Sequence, residues 1–250
     1  MDEEINSLRS KLAELGKENE KLTSKLAKSQ EENIEIRKSK ILIVEGIDEK
    51  NFFETWLKEL NRNDIQVMPV GGKENLKPNF KLIVDRPNFG DVESILITRD
   101  ADYSYENAFR SVCGILQDRR VIESLINKGI NLQIPESAWT FTKNTVPRIC
   151  VAILPGINQT GALEELLLQT IDDDPMSDKS HNFIDDAKIT LDNSDYRPSP
   201  PPHRIGKAKV HAFLSTFDKP DRRQGEAANA GVWNFEHKAL DPLRSILEEL

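Results

Sequence analysis

Ile41-Leu42-Ile43-Val44-Glu45-Gly46-Ile47-Asp48-Glu49 is the stretch on which the fold turns. Four consecutive apolar residues, three of them β-branched, read as a strand buried on both faces, and such strands belong to parallel sheets. The strand ends on a carboxylate, then a glycine, then more acids as a helix opens. Over residues 48–60 the spacing predicts that helix, with Phe52, Phe53, Trp56, Leu57 and Leu60 on its inner face. The same alternation recurs downstream. Residues 65–70 read as a second strand closed by Gly71-Gly72, residues 94–98 as a third ending at Arg99-Asp100-Ala101-Asp102, and residues 148–154 as a fourth. Helical spacing fills residues 105–126 and 160–171. Strands alternating with helices predict an α/β fold, a three-layer, mostly parallel sheet. Ligands in such folds sit at the carboxyl ends of the strands.

Composition narrows the classes. Of 250 residues, 38% are hydrophobic and 30% charged, polar for a globular chain but too rich in large aliphatics for wholesale disorder. No apolar run approaches the roughly 20 residues that span a bilayer, and the first residues are acidic where a secretory signal is basic. The expectation is a cytoplasmic protein with no membrane segment. Cys113 and Cys150 have no partners at metal-ligand spacing, which fits a reducing compartment and excludes a disulfide framework. A formal charge of −8 argues against coating nucleic acid by bulk positive charge. A nucleic-acid substrate would need a local basic path or a bound cation.

Residues 1–40 differ from the remainder: nine Lys/Arg balance nine Asp/Glu, with no aromatic and no proline. Leu12, Asn19, Leu26 and Asn33 mark one heptad seam, and Leu8, Leu15, Leu22, Ser29 and Ile36 the other. Residues 1–38 are therefore expected to form a coiled-coil helix, and residues 5–36 a parallel homodimer in which Asn19 pairs with its own copy. The competing reading is a single solvated helix, favoured by Gly16 and the decay of the seam after Leu26. Residues 40–250 form the α/β domain, interrupted by a surface loop excursion over 172–205 between Asp172-Asp173-Asp174-Pro175 and the proline run after Arg197. Helical spacing returns at 206–217 and at 240–250, the last expected to pack on the sheet.

Two strand ends carry chemistry. Glu45 alone would read as a solvent-facing terminus, and Asp100 with Asp102 as a turn or cap. Acids at two strand ends of one sheet are more informative together, because gathered carboxylate oxygens suit a hard divalent cation such as Mg²⁺ or Mn²⁺.

These residues resemble the Toprim domain of topoisomerases, bacterial primases, recombination-repair proteins and OLD-family nucleases. The likeness lies in Val44-Glu45-Gly46, the acidic helix start after it, and the strand delivering Asp100-Ala101-Asp102. Ile153-Leu154-Pro155-Gly156, Gly161 to Leu168, and Gly206-Lys207-Ala208-Lys209-Val210 look like a bacterial Toprim-like group related to the OLD nucleases and anti-phage effectors. The resemblance implies that Glu45 is a metal ligand or general acid/base and that Asp100 and Asp102 hold the cation. It implies a further ligand at Glu49, with Asp48 as the alternative, and a second-metal ligand at Glu164, ahead of Glu165. Lys207 or Lys209 would neutralise a phosphate.

The reaction implied is metal-dependent hydrolysis of DNA or RNA, in phage defence, with no protein nucleophile required. His181, His203, His211 and His237 are scattered and suggest no triad. Gly71-Gly72-Lys73 lacks the upstream glycine and the Ser/Thr of a nucleotide cradle, so an ATPase or sensor would be a separate partner. Arg99, Arg119, Arg120, Arg222 and Arg223 are available for backbone phosphates. The alternative is a Toprim-shaped module, dimerised by its coil, that binds nucleic acid or protein without cutting.

Overall fold

Two apolar runs set side by side make the centre of the molecule. In the computed structural model, which describes residues 34–250, β1 (Lys40–Val44) lies between β2 (Ile65–Pro69) and β3 (Ser94–Asp100), and β4 (Arg148–Leu154) flanks β3. All three pairings are parallel, giving the order β2-β1-β3-β4. Residues 36–250 form one compact unit.

Side chains alternate across the sheet with period two. Leu42, Val44, Leu96, Cys150, Ala152 and Leu154 face one core, and every one of them is buried. That core is filled by α1 (Ile47–Glu59) through Phe52, Phe53, Trp56 and Leu57, by α5 (Leu163–Gln169), by α7 (Ile205–Leu214) and by α8 (Gln224–Asn229). The tail closes it: Phe235 stacks on Trp56 at 5.9 Å, and α9 (Asp241–Glu249) contributes Leu243, Ile246 and Leu247. Ser94 Oγ donates to the Leu250 carbonyl at 2.9 Å, which fixes the last residue at the amino end of β3. On the other side of the sheet α3 (Tyr105–Leu116) packs on β3 and β4, while α2 (Leu76–Asp85) packs on α4 (Arg119–Asn127). The architecture is the α/β fold expected from the alternating runs.

Two expectations are corrected. Residues 177–192 are not part of a loop but form α6 (Ser177–Asp192), which packs on α7. Its apolar stripe is weak: Phe183 and Ile189 are exposed, and its buried residues are Ser177 and Ser180. Hydrophobic spacing therefore carried no helix signal there, and the contact with α7 stabilises it instead. The irregular part shrinks to the turns at 172–176 and the stretch after Asn193. The coiled-coil reading also stops short of residue 38, because residues 34–39 are not helical. Ile36 is buried and its carbonyl accepts a bond from Asn88 Nδ2 at 2.8 Å. The rest of the heptad segment lies outside the described residues.

Candidate functional site

The strand order reverses direction at β1. The chain leaves β1 for β2 on one side and returns to β3 on the other, so a crevice opens beyond the carboxyl ends of β1 and β3. Glu45 follows β1, and Asp100 ends β3. Register sets them side by side. Ile43 is level with Ile97, which brings Glu45 level with Arg99 two residues later. Glu45 Oε1 consequently accepts from Arg99 Nη1 and from the Asp100 backbone N–H at 3.3 Å.

Two helices open at this crevice with acids in their first turns, Asp48 and Glu49 on α1 and Glu164 and Glu165 on α5. A helix N-terminus favours negative charge there. Asp100 Oδ1 accepts from the Leu163 N–H at 3.1 Å, joining the end of β3 to the start of α5. Glu164 is 8% exposed, an unusual degree of burial for a carboxylate. A Cβ on Gly46 would stand 2.9 Å from Glu49 Oε2, so the glycine lets Glu49 fold back toward the strand end.

The charges of this group do not cancel. Burial, followed by the charges of Glu45, Glu164 and Glu49, holds Asp100 well above the usual carboxylate range. Burial, then Glu45, Glu164 and Asp48, pushes Glu49 up to about 7. Burial raises Glu164 as well, opposed by Lys207 and by a hydrogen bond with Gln224. Asp48 Oδ1 is enclosed and has no hydrogen-bond partner among the described residues. Glu45, Glu49, Asp100 and Glu164 thus feel one another, a clustering of acids that costs stability unless a cation joins them. Their hard oxygen donors have the chemistry that Mg²⁺ or Mn²⁺ takes. Among the described residues, however, no three His, Cys, Asp or Glu side chains are already arranged to hold a metal ion. Arg99 occupies Glu45 instead.

Asp102 is set apart from this group. Its φ is +50°, a left-handed conformation that aspartate tolerates better than most residues, and its backbone exchanges hydrogen bonds with Gly161 at 2.8 and 2.9 Å. That kink aims its carboxylate at Lys73 Nζ, 3.2 Å away, with Arg99 Nη2 at 4.0 Å. Asp100 and Asp102 therefore take different partners. Lys73 belongs to no nucleotide cradle, yet the turn after β2 brings it to the crevice. Lys207 lines a depression with Asp48, Arg223 and Gln224. Lys209 pairs with Asp185 on α6 at 2.8 Å and lines a cavity with Asp102 and Glu165. Glu165 caps α5 by accepting from the Ala162 N–H at 2.7 Å.

The family described as "Protein of unknown function (DUF3226)" matches residues 39–250, the whole of the sheet and its helices. This chain belongs to the DUF3226 family. No curated protein matches the DUF3226 chain. Its structure is similar to the C-terminal region of the OLD protein of Xanthomonas campestris pv. campestris. The identity is 15%, the coverage 86% of this chain and 95% of that one, and the TM-score 0.40. A likeness at that level fixes no residue correspondence. No helix among the described residues of the DUF3226 chain is long and apolar enough to cross a membrane.

Proposed function

We propose that this DUF3226 protein is a divalent-cation-dependent nuclease of Toprim type that hydrolyses phosphodiesters of DNA or RNA. The observation that carries the reading is the charge of Glu45 and Glu164 acting on Glu49 and Asp100 in one crevice at the switch point of the sheet. Glu49 and Asp100, raised by burial and by the neighbouring acids, are what a site built to take a cation would show. Glu45, Glu49, Asp100 and Glu164 would hold Mg²⁺ or Mn²⁺, with Asp102 at the edge. When bound there, such a cation would supply an activated water and charge stabilisation for the leaving oxygen of an in-line displacement.

The chain's own residues supply positioning and charge. Arg99 and Lys73 present cations beside Asp102, within reach of a phosphate drawn to the crevice. Lys207 and Arg223 extend that positive lining on the far side of Asp48. The acidic helix starts keep the carboxylates where backbone dipoles favour them. The role in phage defence, a coil-mediated homodimer and a separate ATPase or sensor partner belong to this proposal as well.

A second reading is favoured by one specific observation. Glu45 is already engaged by Arg99, and among the described residues no three acids are arranged to hold a metal. A module of this kind would bind nucleic acid or protein without cutting. One experiment separates the two: plasmid, linear duplex, single-stranded DNA and tRNA are incubated with Mg²⁺, Mn²⁺ or EDTA. The nuclease reading expects cation-dependent cutting that Glu45→Ala and Asp100→Ala abolish. Cutting that persists in EDTA contradicts the mechanism, and no cutting under any condition favours the module.

A further inference from the structure

The turn that carries Asp102 also carries Tyr103, whose ring is turned outward and 65% exposed. Its hydroxyl bonds with His203 Nδ1, and the two rings lie 4.8 Å apart between centroids at 57°. The pair joins the end of β3 to the short helical turn Pro202–Arg204, a hundred residues away in sequence. Together they wall a cavity of about 460 Å³ whose lining includes Gly161 and Glu165, and Asp102 forms its border with the carboxylate crevice. Pockets of roughly 300–1,000 Å³ are the usual size for small organic groups.

Three features of the lining select among ligands. Two aromatic rings at the mouth offer a stacking surface. The carboxylates of Asp102 and Glu165 can accept from exocyclic amino groups, and Lys209, paired with Asp185, is the cation of the lining. His181 lines the same cavity, and its Nε2 is enclosed with no hydrogen-bond partner among the described residues. Burial and the Lys209 ammonium hold His181 below its ordinary value, against the opposing charges of Asp178 and Asp185, so the cavity wall disfavours the charged ring.

We infer that this cavity receives one unpaired nucleobase of the substrate strand, stacked against Tyr103 and His203, while the neighbouring phosphodiester lies toward Asp102 and the acids beyond it. The inference rests on the proposed nuclease reading and names its substrate class as single-stranded nucleic acid. A base within a duplex has both faces stacked and its Watson–Crick edge paired, whereas an unpaired base frees them. Stacking and base-edge contacts are common to both sugars, so DNA and RNA strands are both accommodated.

The test is fluorescence anisotropy of labelled oligonucleotides with the full chain in EDTA, where cutting is off. The probes are a mixed-sequence single DNA strand, the same sequence as RNA, and the DNA duplex. Expected is tighter binding of single strands than of the duplex. Tyr103→Ala and His203→Ala should each weaken single-strand binding by about tenfold and leave duplex binding unchanged. Tyr103→Phe, which keeps the ring, should bind within about twofold of the parent. Thermal melts of each variant verify folding. Equal affinity for single strands and duplex, no binding of any probe, or a Tyr103→Ala protein that is folded and binds as the parent does would each overturn the inference. Cation-dependent cutting with no dependence on Tyr103 removes the base pocket and leaves the nuclease. Tyr103-dependent binding without cutting removes hydrolysis and leaves the pocket.

Discussion

Glu45, the residue after β1, stands level with Arg99 on the neighbouring parallel strand β3, and the guanidinium of one closes on the carboxylate of the other just where the sheet's switch point opens. Both side chains are mostly buried, at 18% and 12% exposure, and Asp100 is the next residue along. Arg99 thus does for Glu45 part of what a cation would do, and it competes with one.

Removing Arg99 should therefore have opposite effects with and without metal. In EDTA, Arg99→Ala leaves Glu45 beside Asp100 with its partner gone, and unfolding stability should fall by about 2–4 kcal/mol. In Mn²⁺ the same variant should recover most of that loss and bind the ion more tightly than the parent. Urea melts in EDTA and in Mn²⁺ check both. A variant destabilised equally under the two conditions shows that Arg99 is only a structural partner.

The acids set a pH dependence of definite sign. Glu49 takes up its proton at about 7 in the folded protein but near 4.5 when unfolded, so between those values the native state binds more protons. Metal-free stability should accordingly fall as pH rises from about 4.5 through 7, by at most about 3 kcal/mol for this group. Asp100 acts in the same direction. His181 acts in the opposite direction below its unfolded value, so the comparison that isolates Glu49 is the Glu49→Gln variant. Denaturant melts across this range should show a shallower decline in Glu49→Gln than in the parent, and Mn²⁺ should flatten the parent's curve.

Much of this was legible beforehand. The strands showed because each is a short apolar run with no polar interruption, and their ends showed because carboxylates follow them directly. Glu164 was reachable only through resemblance, since an acid in a helix's first turn is ordinary until its burial is known. The division between Asp100 and Asp102 was not legible. It depends on a left-handed residue at 102 and a backbone bridge to Gly161, a contact nearly sixty residues distant. Lys73, Tyr103, His181 and His203 gave no signal for the same reason, as nothing local marks residues that meet only when the β2 and β3 turns, α6 and α7 converge. Helix α6 escaped because its stability comes from α7 and not from its own stripe.

Close packing at the start of α7 gives a stability test independent of metal. A Cβ on Gly206 would come within 2.0 Å of Glu165 Oε1, the carboxylate that caps α5. Gly206→Ala can be accommodated only if Glu165 swings away and surrenders the Ala162 N–H, a loss of about 1 kcal/mol. In a Glu165→Ala background the substitution at Gly206 should cost little. Additive losses in this double-mutant cycle would show that the clash is relieved by backbone movement instead.

Cys150 provides a check on the core. Burial in the centre of β4 pushes its thiol up to about 12, so it stays protonated and inaccessible in the native state. Disulfide exchange reagents should label Cys150 only at the rate of global unfolding, as followed by mass spectrometry. Fast labelling of the native protein would contradict the packing of that face.

Cation binding itself is the most direct trial of the acid crevice. Isothermal titration of Mn²⁺ into the full chain should give a saturable heat that Asp100→Asn combined with Glu164→Gln abolishes, while both proteins melt as folded domains. If parent and double variant bind Mn²⁺ alike, or neither binds, these carboxylates do not form a metal centre and the nuclease reading fails.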